Sequence, residues 1–332
     1  MRTKLLYVLV SSKDDIYLEQ AYVSMYSAKF YMPDCHIVLL TDNISNETFT
    51  GLRKNELKYI DELIVIPMNQ KLTAQQRSRQ LKTSARNLVK GDFLFIDCDT
   101  IIVKPLDEID ECKNIFTACK DSHSDFSKNP YRKMCLNHGH LLGWPIETET
   151  TYFNSGVLFV KDTFETKEFY TRWNKNLNAG YKKKIYMDQP SFAKTNYDMN
   201  HIVSALPDVW NCQLKHGVRY LKDAKIIHYL CTNPSQTSNK QFFLLNEKSV
   251  FQSVKESAEI PESIKAVIRD PFVGISEVSH CFAGEDIYFF TTSTYKYIRN
   301  FFSKKFFPIM DFKYRILNYI KNHLIFIIKK LS

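Results

Sequence analysis

The stretch that most constrains the fold is residues 91–103, GDFLFIDCDTIIV, in which two carboxylates interrupt an apolar run. Phe93–Ile96 has the composition of a buried strand, and Asp97 and Asp99 follow it directly. Buried charge is costly unless it is compensated, and hard divalent cations prefer oxygen ligands. Residues i and i+2 of an extended chain point to the same side, so both carboxylates can reach one cation. The stretch predicts a metal site where open α/β sheets hold their ligands, with a solvated turn or a helix N-cap as the alternative.

Strand-like and helix-like segments alternate along most of the chain, which is the pattern of an α/β fold with a mostly parallel sheet covered by helices. The 332 residues, 44% of them hydrophobic, suffice for one large domain with an appendage. Beyond residue 233 the pattern becomes helical and is broken by prolines 261, 271 and 308. The predicted strands cover 4–10, 36–42, 63–67, 93–96, 152–160 and 225–230, and the predicted helices cover 16–30, 74–89 and 164–178.

The eight cysteines include no C-x-x-C pair, which favours a reduced, cytosolic setting over a disulfide framework. The apolar run Leu5–Val10 is too short for a signal sequence and is better explained as the first strand. No run approaches the roughly 20 apolar residues that a spanning helix needs. The sequence therefore predicts a cytoplasmic protein without a transmembrane helix.

Most of the net charge of +9 lies in the last 37 residues, where nine basic residues face a single acid, Asp311. This leaves the rest of the chain almost neutral, which argues against nucleic acid as a partner. Residues 295–332 alternate basic with aromatic and aliphatic residues, a composition typical of a helix lying on an anionic membrane surface. We expect a peripheral protein on the inner face of the cell membrane; a basic helix packed on the body is the alternative.

His228 closes the last predicted strand. Because strand ends share one edge of a parallel sheet, its imidazole can complete the ligand set of the two carboxylates, although a buried core histidine is the alternative. Such a mixed set suits manganese somewhat better than magnesium. Arg79, Lys82 and Arg86 form one cationic stripe on the helix before the carboxylates. We expect Arg79 or Lys82 to meet phosphate oxygens and Arg86 to lie on the surface; the alternative is that the whole stripe is solvated.

Polar residues at three further element boundaries are candidate contacts for a sugar or a base. An amide next to a glycine can hydrogen-bond to a hydroxyl group. A carboxylate beside an amide can lie against a sugar, and an aromatic ring can stack on a base. The respective alternatives are a plain turn, a helix cap, and a helix cap with a core tyrosine. These groups are Asn154, Ser155 and Gly156; Asp188 and Gln189; and Asp14 and Tyr17.

Taken in order, these motifs resemble the nucleotide-sugar glycosyltransferases of the GT-A fold, and most closely family 8 in its bacterial surface-polysaccharide branch. The resemblance covers residues 4–232 and implies a Rossmann-like mixed, mostly parallel sheet flanked by helices. The pattern after residue 233 predicts a helical C-terminal extension. The predicted parts are therefore a catalytic domain over 1–232, a helical extension over 233–294 and the basic tail over 295–332. The ordered set is SSKDDIY, SRQLKTSARN, FLFIDCDTIIVKPL, FNSGVLFV, MDQPSF and IIHY.

The resemblance also implies roles for individual residues. Asp97, Asp99 and His228 would hold a metal, usually Mn²⁺ with Mg²⁺ possible, that bridges the two phosphates of UDP. Asp188 and Gln189 would lie beside the anomeric carbon. Asp14 and Tyr17 would hold the uracil. Arg79 would contact the donor sugar or the diphosphate, and Asn154 would bind a hydroxyl of the donor. The full predicted donor and nucleotide set is Ser11, Asp14, Tyr17, Arg79, Lys82, Asp97, Cys98, Asn154 and Ser155.

One departure from the family pattern concerns the leaving group. Many members follow the late histidine with a glycine and a lysine that grips the phosphate, whereas His228 is followed by YLCTNPSQ. The metal, Arg79 or Lys240 would then take this role.

The resulting hypothesis is a hexosyltransferase that moves galactose or glucose from a UDP-sugar to a saccharide or glycolipid acceptor of lipopolysaccharide or capsule, with retention. One alternative is a sugar nucleotidyltransferase, which the glycine-free SSKDD turn disfavours. The other is a catalytically degenerate sugar-nucleotide-binding scaffold at the membrane, which the missing lysine favours.

Overall fold

The computed structural model describes residues 1–229 and 242–275, together with 292–295, 297, 312, 316 and 319. The chain divides into two compact units, Met1–Glu277 and Val278–Ser332. In the second unit the described residues 293–295, 297, 312, 316 and 319 are helical. Lys240 and most of the tail lie outside the described residues. The predicted domain boundaries at residues 232 and 294 stay a prediction.

The first unit has the predicted α/β architecture, a mixed and mostly parallel sheet flanked by helices. The strands are β1 (Lys4–Leu9), β2 (Ile37–Asp42), β3 (Glu62–Ile66), β4 (Phe93–Ile96), β5 (Thr100–Ile102), β6 (Phe116–Lys120), β7 (Phe153–Val160), β8 (Ser204–Ala205), β9 (Cys212–Gln213) and β10 (Ile226–His228). The helices are α1 (Tyr17–Tyr31), α2 (Asn43–Asn46), α3 (Ala74–Leu88), α4 (Arg132–Leu142), α5 (Phe164–Lys182), α6 (Gln189–Asp198), α7 (Lys248–Ser257) and α8 (Glu262–Arg269).

The main sheet contains seven strands in the order β3-β2-β1-β4-β7-β6-β8. Its pairs are parallel except for those of β7, which runs antiparallel to both β4 and β6. A second, small sheet has the order β5-β10-β9, with β10 antiparallel to β5 and parallel to β9. The carboxyl ends of β1 and β4 therefore lie side by side in the main sheet, and the small sheet begins immediately after β4.

Strand β1 shows why the sheet is covered on both sides. Leu5 and Tyr7 pack into a core that includes apolar residues of α1, whereas Leu6 and Val8 pack into a core that includes residues of α3 and α5. A parallel strand that is buried on both faces has a continuous apolar sequence rather than an alternating one. The unbroken run at the start of the chain is thus a strand, as predicted, and it lies inside the sheet between β2 and β4.

The position of Arg86 contradicts the prediction that it lies on the surface. Its side chain is 1% exposed, and its guanidinium lies 4.6 Å from the centre of the Phe93 ring. It donates hydrogen bonds to the carbonyl oxygens of Val89 and, at 2.8 Å, Gly91, and it pairs with Asp162 at 3.3 Å. Two backbone carbonyls between α3 and β4 and the carboxylate of Asp162 thus stabilise the buried charge of Arg86. The helical spacing alone had predicted that this charge is exposed to solvent.

Helices α7 and α8 confirm the helical pattern expected after residue 233 within the described range, and Pro261 precedes the first residue of α8. Phe251 and Val254 of α7 and Val267 of α8 pack with Tyr22 of α1 and Ile227 of β10 in one apolar cluster. These helices therefore cover the small sheet and α1. Among the residues that the structure describes, no helix combines the length and apolar character needed to cross a bilayer.

Candidate active site

Asp97, Asp99 and His228 meet at the start of the small sheet. Each offers one ligand atom, and these atoms lie within 4.8 Å of one another. The two carboxylates occupy the turn between β4 and β5, and His228 of β10 is in register with Thr100 of β5. His228 Nε2 lies 3.1 Å from Asp99 Oδ1. The predicted meeting of the three residues is confirmed, but its expected cause is wrong: an antiparallel pair in the small sheet, not an edge of the parallel sheet, brings the imidazole in.

The surroundings of His228 fit a ligand role. Its Nδ1 lies 3.1 Å from Asn211 Oδ1, which leaves Nε2 facing Asp99. A Cβ atom at Gly156 would lie 2.5 Å from His228 Cε1 and 2.9 Å from Asp97 Oδ2, so only glycine permits this packing. The site therefore offers two carboxylates and one oriented imidazole, and Gly156 leaves the space between them free of any side chain. This donor set suits a divalent cation.

The charges of the three groups depend on one another. Burial, opposed by Lys82 and His228, raises the pKa of Asp97. Burial also acts to raise the pKa of Asp99, but the charge and hydrogen bond of His228, a backbone hydrogen bond and the charge of Lys82 together outweigh it and lower that pKa. His228 is the reciprocal case: burial is the largest single influence and acts to lower its pKa, but the charge and hydrogen bond of Asp99, together with the charge of Asp97, outweigh it and raise that pKa. The imidazole must be neutral to ligate a metal, so metal binding here is coupled to loss of its proton.

A second charged group surrounds Asp188. Lys82 Nζ lies 3.0 Å from Asp188 Oδ2 and 3.2 Å from Asp97 Oδ1, so one buried ammonium joins the two groups. Ser155 Oγ donates to Asp188 Oδ2 at 2.9 Å. Arg79 Nε lies 3.0 Å from Asp188 Oδ1 in an ion pair whose N–H is not aligned as a hydrogen bond. Of the cationic stripe, Arg79 and Lys82 thus face inward and contact Asp188, and the expected contact with phosphate oxygens stays a prediction.

Asp188 occupies the N-cap position of α6, but its side chain does not cap the helix. It precedes α6, which begins at Gln189, yet its carboxylate makes no capping hydrogen bond to the backbone. Trp173 Nε1 donates to the Asp188 carbonyl at 3.1 Å and fixes the main chain. Burial acts to raise the pKa of the carboxyl, but Arg79, Lys82 and Ser155 hold it well below its usual range. The carboxylate is therefore ionised and held in position.

Asn154 connects the metal-ligand group to two residues that the sequence reasoning missed, Asn211 and Asp121. Asn154 Oδ1 accepts from Asn211 Nδ2 at 2.9 Å, and Asn154 Nδ2 donates to Asp121 Oδ1 at 3.2 Å. Asp121 follows β6, and Ser122 and His123 after it have left-handed backbone angles (φ 57° and 52°) that non-glycine residues rarely adopt. A carboxylate directly after a buried strand was the available signal, but strand β6 was not predicted.

The remaining candidates lie in the turn from β1 to α1 and beside it. Cys98 Sγ donates to the Val8 carbonyl at 3.5 Å, which ties the carboxylate turn to the end of β1. Ser11 is buried and donates to Asp15 Oδ1 at 2.6 Å, whereas the Tyr17 side chain is 51% exposed. Asp14 is exposed, and its backbone N–H donates to Ser12 Oγ at 3.3 Å. The structure thus places these residues beside the β4 end, and their contacts with a ligand stay predictions.

Comparison with known proteins shows which protein family this site belongs to. Residues 87–251 match the family model of the nucleotide-diphospho-sugar transferases, a range that includes Asp97, Asp99, Asp188 and His228. The chain is a glycosyltransferase of the nucleotide-diphospho-sugar transferase superfamily. No curated protein sequence matches the chain significantly.

Solved structures support the fold of this glycosyltransferase. The bifunctional glycosyltransferase WbbM is 16% identical, with a TM-score of 0.51, over 80% of this chain and 51% of WbbM, so the chain matches about half of that protein. An active-site mutant of LgtC is 14% identical, with a TM-score of 0.50, over 79% of this chain and 99% of LgtC. At these identities the likeness shows the fold alone. The predicted resemblance to GT-A glycosyltransferases is confirmed.

Proposed function

We propose that this glycosyltransferase moves a hexose, galactose or glucose, from a UDP-sugar to a saccharide acceptor of a cell-surface glycan, with a divalent cation, Mn²⁺ in preference to Mg²⁺, and with retention as in family 8. The observation that carries the proposal is the pair of charged groups joined by Lys82. One group offers three ligand atoms within 4.8 Å, and the other holds an ionised carboxylate. A bound cation would neutralise the diphosphate, and a neighbouring carboxylate would stabilise positive charge on the attached sugar, so a sugar diphosphate needs both groups side by side.

Asp97, Asp99 and His228 would hold the cation through oxygen and imidazole ligands. When bound, the cation supplies Lewis-acid neutralisation of the negative charge that develops on the diphosphate. Arg79 and Lys82 add positive charge on the same side of the site. They are the described candidates for the role of the missing family lysine, and Lys240 remains an expectation outside the described residues.

Asp188 would act on the sugar. Breaking the anomeric C–O bond leaves positive charge on the ring, and a carboxylate that is already ionised and held in place stabilises that charge without reorganising. Its partners Arg79, Lys82 and Ser155 keep it in position. Gln189 begins α6 next to it and would bind a sugar hydroxyl. The acceptor hydroxyl would attack from the leaving-group face, which gives retention.

A panel of UDP-sugars tests this function directly. We expect UDP release from UDP-galactose or UDP-glucose in Mn²⁺ that stops in EDTA, and a product of unchanged anomeric configuration by NMR. Absence of release with every member of the panel, or pyrophosphate release from UTP and a sugar phosphate, would overturn the proposal.

Removal of the side-chain amide of Asn211 tests the orientation of His228. We expect Asn211→Ala to lower Mn²⁺ affinity by about 10- to 100-fold, because a partner that orients a ligating imidazole typically has an effect of that size. Calorimetric titration with Mn²⁺ measures the change, and Asn87→Ala on the exposed part of α3 is the matched control. Equal Mn²⁺ affinity in Asn211→Ala and wild type would argue against a ligand role for His228.

We also propose that residues 295–332 hold the enzyme on the inner face of the cell membrane, close to a lipid-linked acceptor. The support is the alternation of basic with apolar residues in the tail. Deletion of 295–332 is expected to move the protein from the membrane fraction to the soluble fraction, and to abolish binding to vesicles that contain anionic lipid. Unchanged fractionation and vesicle binding would contradict this part of the proposal.

A further inference from the structure

The turn from β1 to α1, residues 11–15, carries the contacts expected for the uridine of the donor. The shape of this turn is partly set by Asp15, whose carboxylate accepts from Ser11 Oγ at 2.6 Å, from the Ser12 N–H at 2.7 Å and from the Tyr17 N–H at 3.1 Å. These bonds are local. They do not fix where the turn lies relative to the rest of the site.

Two cations from distant parts of the chain hold the turn from outside. Arg53 Nη2 donates to Ser11 Oγ at 2.7 Å, and Arg53 Nη1 donates to the Ser12 carbonyl. Lys255 of α7 donates to the Asp15 carbonyl at 2.6 Å and to the Lys13 carbonyl. The turn is thus held at four acceptors by two side chains, neither of which lies in the range 87–251 that matches the family model.

Arg53 is buried beside two acidic side chains. Its side chain is almost fully buried, and its Nε lies 3.8 Å from Glu19 Oε1. Glu19 and Glu56 are fully buried, and no hydrogen bond reaches their carboxylate oxygens from the described residues. Burial, reinforced by Glu19 and opposed by Arg53 and Lys255, raises the pKa of Glu56 to about 8. Glu56 is therefore largely protonated at neutral pH and is not a counter-charge to Arg53. The buried charge of Arg53 is expensive and is weak evidence for stability, so a role in holding the turn accounts for it better.

We propose that Arg53 and Lys255 are positioning residues that fix the turn 11–15 in the conformation that binds the uridine of the donor, so that helix α7 is a component of the donor site. The inference rests on the proposed function, because it assumes a UDP-sugar. A turn held in place before binding loses less conformational freedom when the ligand arrives, which strengthens binding without touching the reacting atoms. The effect must therefore appear in donor affinity and not in the chemical step.

The test compares Lys255→Met with wild type in UDP-sugar kinetics and in calorimetric titration with UDP in Mn²⁺. We expect KM for the donor and Kd for UDP to rise about tenfold, the size of one or two lost charge-assisted hydrogen bonds, with kcat within about twofold of wild type. Lys255→Arg should restore most of the affinity. Lys248→Met, which changes an exposed lysine on the same helix, is the matched control and should behave as wild type. Arg53→Lys, which keeps a charge beside Glu19, provides a second variant and should also raise KM.

Each outcome bears on one claim. If wild type itself does not bind UDP, the proposed function fails and this inference falls with it. If wild type binds UDP and Lys255→Met binds it equally well, the positioning role is overturned and the proposed function stands. A fall in kcat at unchanged KM, or a loss of affinity that follows a loss of thermal stability and is not relieved by Lys255→Arg, also overturns the positioning role.

Discussion

Asp99→Asn is expected to reduce turnover of the UDP-sugar by about 10³-fold while the protein stays folded. The amide keeps an oxygen for His228 Nε2, which lies 3.1 Å from Asp99 Oδ1, but removes one of the two anionic ligands. Steady-state UDP release at saturating donor and Mn²⁺ measures the loss. Circular dichroism and the melting temperature establish that the fold is retained.

The matched control for this variant is Asp223→Asn. The Asp223 side chain is 75% exposed and lies 3.7 Å from Lys104, so the same chemical change occurs where little depends on it. We expect turnover close to that of wild type. Full activity in Asp99→Asn, or an equal loss in both variants, would contradict the assignment of Asp99 as a metal ligand.

Asp188→Asn is expected to lower kcat by about 10²- to 10³-fold, the usual effect of removing one preorganised electrostatic group. Its carboxylate contacts Lys82, Arg79 and Ser155, and none of the three proposed metal ligands. Mn²⁺ affinity should therefore stay within a few-fold of wild type. This separation of kcat from metal affinity distinguishes Asp188 from Asp99.

The control for Asp188 is Asp198→Asn at the other end of α6, where the carboxylate pairs with Lys194 one helical turn away. This variant should keep wild-type kcat, since an i,i+4 surface pair contributes little. A kcat of Asp188→Asn within about twofold of wild type would rule out a role for Asp188 at the anomeric carbon. Parallel loss of Mn²⁺ affinity would show instead that Asp188 acts on the metal group.

Local patterns predicted much of the fold. The apolar run of β1 and the helical spacing of α1 each depend on neighbouring residues only, and both elements formed within two residues of their predicted bounds. Strands β6, β8 and β9 were missed, and β8 and β9 have only two residues each, too few to show a periodicity. They form through pairing with β7, β6 and β10, which a local pattern does not reveal.

The candidate site was predictable to the same extent. Asp97 and Asp99 were found because charge inside an apolar run is unusual in any context. Arg86 was misplaced because helical spacing gives the face of a helix but not the groups that lie opposite, here Phe93 and Asp162. Asn211 was missed because its role depends on the pairing of β10 with β9, which begins at the next residue, and a local pattern does not reveal such a pairing.

Calorimetric titration of the wild-type protein with UDP, with and without Mn²⁺, tests the central claim most directly. The arrangement of Asp97, Asp99 and His228 predicts binding of UDP that requires Mn²⁺, is reversed by EDTA and is lost in Asp99→Asn. UDP binding of the same strength with and without Mn²⁺, or no UDP binding in either condition, would contradict the claim that these three residues hold a cation against a sugar diphosphate.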